Sequence, residues 1–409
     1  MKFAKKRRKT CTVINITLFM ILILFSTSFC DAQVISAKEV NWPVFMSKQS
    51  LKWNNLGDNY YSGVILGNGL LGINIYKEND SLIRFDIGRS DVTDHRENFS
   101  SGVSNLYSKA RLPIGYFTLK TVGKIISAKM ELDIYNAEVK AVITTTKGDI
   151  SILALVLANG NVISVSANSM QQESVLAWKW NPERSISPRY LQAYPKDKPL
   201  DYAENPPIKI TNENGYIVCN QPLLNKGGYS TVYKVNGNSR YSKLLVSVGY
   251  DPYNKLNETK EALNNLENFK NNRESILAHR NWWHNYYQQS FIALPDKRME
   301  NFYWIQLYKL ASATRADKPM VDLMGPWTTA TPWPGIWWNL NTQLAYSPIF
   351  TSNHLELGES LFKSLNDNKQ NLINNVPEKW RSDAIAIGRS SAFDLVSPIT
   401  EEEIEKGTF

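Results

Sequence analysis

Between residues 60 and 250 apolar and polar side chains alternate with period two in short runs. Leu71-Gly72-Ile73-Asn74-Ile75-Tyr76, Ala141-Val142-Ile143-Thr144-Thr145-Thr146 and Asp149-Ile150-Ser151-Ile152-Leu153-Ala154-Leu155-Val156-Leu157 carry it most clearly. Such alternation turns one side of each segment to a core and the other to water, and β-branched residues suit the pleat. Lys147-Gly148-Asp149 and Asn159-Gly160-Asn161 provide tight turns between strands. Some dozen segments of this kind predict one large antiparallel β-sandwich. Asn181–Pro207 is rich in proline and reads as a long insertion.

After Asp251-Pro252 the period becomes helical. Leu263, Leu266 and Phe269 fall at three-residue steps, and Ile276, Trp283 and Tyr287 follow at seven and four. Asp296, just after Pro295, is a good N-cap for a helix that ends before Asp317-Lys318-Pro319. Its expected buried face carries Met299, Phe302, Tyr303, Leu307, Leu310 and Ala311. A further helix is expected from about Asn353, with Leu357, Leu361 and Leu365 on one face and Glu356 and Glu359 solvated. The chain therefore divides into a β-domain over 33–255, a helical linker over 256–294 and the start of an α-domain over 295–409.

The N-terminus changes the meaning of the charge. Of 46 basic residues against 38 acidic, six (Lys2, Lys5, Lys6, Arg7, Arg8 and Lys9) precede the apolar run Val13–Phe25. Small and polar residues then lead to Cys30-Asp31-Ala32, the order of a secretory signal. Residues 1–32 are expected to be removed, placing the protein in the periplasm or outside the cell; an uncleaved anchor is the alternative. Without them the basic surplus falls to three, so no basic stretch remains to track nucleic acid. Cys219 is the one cysteine after Ala32, which excludes an intramolecular disulfide or a thiolate metal cluster and suggests a small buried residue in a strand.

Three stretches carry candidate chemistry. Gly67-Asn68-Gly69-Leu70-Leu71-Gly72 matches the dinucleotide-binding glycine pattern, but a strand follows it where that motif needs a helix, so a hairpin is expected. Asp91-Val92-Thr93-Asp94-His95 is either a solvated loop or a loop that brings Asp91 and His95 to a neighbouring substrate site. Met324–Tyr346 holds Trp327, Trp333, Trp337 and Trp338 among prolines and glycines, followed by Asn339, Asn341 and Gln343. Flat indole faces suit the C–H faces of sugar rings, and neutral amides can position a carboxylate or water without adding charge. In the alternative reading the tryptophans are core and the asparagines cap a helix.

The glycine turn, Trp282-Trp283, Ser290-Phe291, Leu307-Tyr308, Gly325-Pro326-Trp327 and Trp338-Asn339-Leu340-Asn341-Thr342-Gln343 together resemble glycoside hydrolase family 95 and its relatives. The resemblance implies an N-terminal β-supersandwich, a helical linker and an (α/α)6 catalytic barrel that hydrolyses terminal α-L-fucosyl or α-L-galactosyl residues with inversion. It also implies that Asn339 and Asn341 help a general base activate water, with neither a metal nor an organic cofactor. On their own chemistry Trp333, Trp337, Trp338, Gln343, Asp91 and His95 are the candidates to contact an oligosaccharide substrate.

Ser347-Pro348-Ile349-Phe350 departs from the family's continuation, and the family's general acid falls in barrel segments beyond residue 409. The chain is thus expected to hold an incomplete (α/α)6 barrel and to be inactive alone. Two other functions compete with a glycosidase: a non-catalytic carbohydrate-binding protein, and a disaccharide phosphorylase-like enzyme.

Overall fold

The computed structural model describes residues 39–97, 104–174, 176–192, 196–254, 257–269 and 273–407. The expected signal sequence lies outside the described residues. In chain order the strands are β1 (Leu51–Trp53), β2 (Val64–Gly67), β3 (Leu71–Asn79), β4 (Leu82–Arg89), β5 (Gly115–Lys120), β6 (Ile125–Asp133) and β7 (Glu138–Thr145). Then come β8 (Gly148–Val156), β9 (Ile163–Ser169), β10 (Ala177–Pro182), β11 (Lys209–Glu213), β12 (Tyr216–Pro222), β13 (Gly228–Gly237) and β14 (Tyr241–Asp251). The helices used below are α1 (Trp42–Ser47), α2 (Glu258–Asn268), α3 (Arg273–Tyr287), α4 (Lys297–Ala313), α5 (Asn341–Tyr346) and α6 (Glu359–Asp367).

Nine strands make one antiparallel sheet in the order β1-β6-β7-β8-β9-β14-β13-β12-β11, and five make a second, β10-β5-β4-β3-β2. The alternation read from the sequence sets which side faces in: β7 buries Val139, Ala141 and Ile143 while Lys140 and Val142 face out. Aromatic contacts bridge the two sheets, Phe117 lying 4.9 Å from Tyr233 edge-on and Trp178 Nε1 donating to Ser242 Oγ at 2.8 Å. Cys219 is buried in β12, and burial pushes its thiol up to about 12.

The glycine motif is the β2–β3 hairpin, with Gly67 opposite Gly72. Asn68 fixes its tip. Its Oδ1 accepts from the Leu70 and Leu71 N–H groups, and its Nδ2 donates to the Leu157 and Gly160 carbonyls at 3.0 and 2.9 Å. Gly88 of β4 extends the row, lying opposite Gly72. A Cβ at Gly88 would fall 1.9 Å from the Pro326 carbonyl oxygen, and one at Gly72 2.9 Å from Pro326 Cβ. Gly72 and Gly88 thus form a flat floor on which the Pro326 segment lies, while Gly67 beside them lets the Ser312 carbonyl of α4 approach.

The last strand of the two large sheets, β14, ends at Asp251 and α2 begins at Glu258, where Asn257 caps it through the Lys260 N–H. Ala262 and Leu266 of α2 close over Leu155, Val218, Val232 and Leu245 of the larger sheet. Asp296 caps α4 as expected, accepting from the Arg298 and Met299 N–H groups. The buried face of α4 differs from the expected one. Leu307 and Ala311 are buried as expected, but Met299 and Phe302 are exposed and Glu300, Trp304 and Tyr308 are buried in their stead. The rotation follows from aromatic and polar anchors that a count of aliphatic residues undervalues. Trp304 packs edge-on to Trp42 at 6.0 Å, Tyr308 donates to the Ile65 carbonyl at 2.9 Å, and Glu300 accepts from Gln49 Nε2 and the Leu294 N–H. The helix expected from Asn353 begins later, as a 3₁₀ turn at Leu355–Gly358 that continues into α6.

His279 of α3 locks the helical part to the sandwich. Its Nδ1 accepts the Ala158 N–H at 3.0 Å and its Nε2 donates to the Asn136 carbonyl at 2.8 Å. Only neutral imidazole can do both, and burial pulls its pKa from 6.5 down to about 4. The unfolded chain therefore takes up this proton near 6.5 and the folded chain only near 4. Stability present above 6.5 is lost as the pH falls through that window, by about 3 kcal/mol at its lower end. Urea midpoints measured across it should drop for the wild type and lose this part of the slope in His279→Gln. Identical slopes for the two proteins would contradict the assignment.

Candidate functional site: a tryptophan corner beside three amides

The segment after α4 is clamped by a fully buried ion pair. Arg111 Nη1 donates to Asp322 Oδ2 at 2.6 Å, and neither side chain is exposed. Asp322 Oδ1 accepts from the Met324 and Gly325 N–H groups, while Arg111 also reaches the Gly325 and Arg89 carbonyls. Burial raises the Asp322 carboxyl pKa, and Arg111 with the two N–H donors counteracts that rise. This turn delivers Pro326 to the glycine floor and Trp327 into the core, where its indole N–H meets the Leu66 carbonyl at 2.9 Å.

Beyond it the chain runs to Pro334, whose carbonyl accepts the Arg111 N–H at 2.8 Å. Two short strands, β15 (Ile336–Trp337) and β16 (Ser390–Ser391), then pair. Trp338 is buried with its N–H donated to Ser391 Oγ at 2.8 Å, so of the three expected sugar-facing tryptophans it is a support. Trp333 is 39% exposed and meets Trp337 edge-on at 4.8 Å. Asn339, Asn341 and Gln343 are exposed beside them. The asparagines do not cap a helix: Leu340, at φ +89°, occupies the N-cap of α5, and its N–H is taken by Gln343 Oε1 at 2.9 Å. Among the described residues neither asparagine side chain has a hydrogen-bond partner, so both amides are free to meet a ligand.

A residue that the sequence did not single out holds Trp333 in place. Arg189, from the proline-rich insertion, lies over the Trp333 ring at 5.0 Å from its centroid. Its guanidinium donates to both carboxylate oxygens of Asp197, to Tyr107 Oη, and to the Pro332 carbonyl at 2.7 Å. Burial would raise the Asp197 carboxyl, but hydrogen bonds from Tyr107 and Arg189 hold it below its ordinary range. No local pattern announces this arrangement, because it joins residues 107, 189, 197 and 333.

Asp91 and His95 are half-buried and bonded to groups outside this corner. Asp91 is held by Arg89 at 2.7 and 3.1 Å, and Arg89 also binds Glu261 of α2. His95 Nε2 contacts the Asn225 and Lys226 carbonyls. Val92, Thr93 and Asp94 are buried, with Asp94 bonded to Arg96 and Asn205. Ion pairs with the neighbouring Arg89 and Arg96, themselves anchored at Glu261 and the Ala203 carbonyl, thus hold a segment whose composition suggests a loop. It is linked to the corner indirectly, through the Thr93–Arg111 bridge and the bond from the neighbouring Leu112 N–H to the Val92 carbonyl. Among the described residues, no group of three or more His, Cys, Asp or Glu side chains is placed to hold a metal ion. No helix among them is long and apolar enough to cross a membrane.

No family model matches the chain, and no curated protein matches it in sequence. Solved structures do resemble it. A human-microbiome protein assigned as a kojibiose phosphorylase is 10% identical, with a TM-score of 0.54 over 86% of this chain and 50% of its own. A bacterial glucoamylase complexed with acarbose reaches 0.44 at 10% identity, covering 86% and 56%. A family GH92 α-mannosidase from Bacteroides thetaiotaomicron reaches 0.27 at 7% identity, covering 63% and 39%. The chain spans about half the length of the first two. The first likeness supports the fold, a large antiparallel sheet domain followed by helices.

Proposed function

We propose that this chain is the sandwich and adjoining helical part of an exported carbohydrate-active protein of the glycoside hydrolase type. Its oligosaccharide contact is the corner formed by Trp333 and Trp337. The observation that supports this most is the pairing of an exposed, braced indole, Trp333, and the half-buried Trp337 with three exposed neutral amides, the combination that suits a ring with an apolar face and a hydroxyl edge. In the finer reading, drawn from the likeness to family 95, the substrate is a terminal α-L-fucosyl or α-L-galactosyl unit. Asn339 and Asn341 then orient a base and its water. Inversion needs two carboxylates ~6.5–9.5 Å apart, and neither asparagine has a carboxylate bonded to it among the described residues. That observation favours a second reading for this chain alone, carbohydrate binding without catalysis. A phosphorylase of the kojibiose type is a third reading, and would require inorganic phosphate for turnover.

Titrating the whole chain with neutral oligosaccharides, with tryptophan fluorescence as readout, tests the proposal. Wild type should bind, and Trp333→Ala should weaken binding at least about tenfold. Aryl α-L-fucosides and α-L-galactosides should be bound without measurable release of the aryl group. Unchanged affinity in Trp333→Ala would remove the corner as the sugar contact.

A further inference from the structure

A cleft of about 1010 Å³ opens between α4, the segment from Val321 to Trp327, the residues around α5 and the outer face of the smaller sheet. Nothing in the sequence pattern or the tryptophan corner accounts for it. Its floor is polar: Asn74 is 1% exposed, and its Nδ2 is committed to the Tyr60 carbonyl at 2.8 Å. That bond fixes the amide, and the Oδ1 it leaves has no hydrogen-bond partner. The oxygen lies against Gly63, also in the lining, where a Cβ would come within 2.1 Å of it. Among the described residues the Tyr60 hydroxyl also lacks a hydrogen-bond partner. Tyr303 and Gln306 of α4 form one wall, and Leu344 of α5 with Trp327 belongs to the rest.

The charge balance narrows the ligand. Asp322 lines the cleft but is neutralised by Arg111, leaving Lys309 as the one accessible charge in the lining. Aromatic and aliphatic walls suit the flat face of a ring, and an orphaned acceptor with a free hydroxyl suits a polyol edge. An apolar helix seated here would bury both polar groups unpaired, which is costly. The volume lies at the upper end of pockets that enclose drug-sized ligands, enough for one or two sugar rings.

We propose that this cleft is a second carbohydrate site, binding a neutral pyranoside of one or two rings whose hydroxyl donates to Asn74 Oδ1. It shares no lining residue with Trp333, Trp337, Asn339 or Asn341 and does not depend on their role.

The test uses the whole chain carrying Trp333→Ala, so that the corner is silent. The probes are the methyl glycosides of glucose, galactose, mannose and fucose, with maltose and lactose, followed by saturation-transfer NMR. At least one probe should bind with a Kd in the millimolar range. Asn74→Ala should weaken it about tenfold. Leu344 is 58% exposed, so Leu344→Trp can fill the cleft without disturbing the core, and it should abolish binding. No binding by any probe in the Trp333→Ala background would overturn the proposal, as would affinity unchanged in Leu344→Trp. Binding by wild type that vanishes in Trp333→Ala would leave the corner standing and refute the cleft. Binding lost only in Leu344→Trp would do the reverse.

Discussion

Arg111→Met should lower the unfolding free energy by about 3–5 kcal/mol, the cost of stranding a buried carboxylate. Both members of the pair are fully buried, and their 2.6 Å contact is the charge compensation Asp322 receives. Methionine fills the volume of the arginine stem but donates no hydrogen bond to Asp322, Gly325 or Arg89. Burial already raises the Asp322 pKa, so the variant should bind a proton there on folding and recover stability as the pH falls. Arg111→Met combined with Asp322→Leu should regain much of the loss, because replacing both charges removes the desolvation cost. Urea unfolding with an unchanged m-value measures each step. A single-variant loss below about 1 kcal/mol would mean that the pair is not the clamp described.

Gly88→Val should cost about 3 kcal/mol through overpacking. The obstacle is the Pro326 carbonyl, 1.9 Å from the new Cβ. Backbone cannot swing aside as a long side chain would, so the whole Pro326–Thr328 segment must lift. Trp327 would then lose its bond to the Leu66 carbonyl, and its fluorescence should shift red on exposure. The same lift displaces the path to Pro334 and Trp333, so sugar binding at the corner should weaken with stability. Full stability and an unshifted spectrum in Gly88→Val would show that the floor tolerates a side chain.

The strands were legible because burial on one face of a sheet imposes period two whatever the partner strand. The β2–β3 hairpin was legible because Asn68-Gly69 and the alternation after it agree. Asp296 announced its helix through cap chemistry alone. The misreadings share a cause, which is pairing at long range. The face of α4 depends on Trp42 and Gln49, more than 250 residues away. Asp91–His95 is held because the neighbouring Arg89 and Arg96 are anchored at the distant Glu261 and Ala203 carbonyl, and Asn205 reaches Asp94. In the tryptophan corner the residue types were readable, but the split between support and surface was not. Trp338 turns inward because Ser391 waits for its N–H, and Trp333 stays outward because Arg189 covers one face of it. The glycine floor depends on register, which places Gly72 and Gly88 side by side from separate strands, with Gly67 beside them.

Backbone hydrogen exchange, read by mass spectrometry with and without the tightest-binding neutral oligosaccharide, places the sugar on the chain most directly. Binding at the corner should slow exchange in peptides spanning 332–343, and Trp333→Ala should erase that protection while leaving the rest of the exchange map intact. Saturating sugar that leaves 332–343 exchanging at its free rate would contradict the corner as the carbohydrate contact.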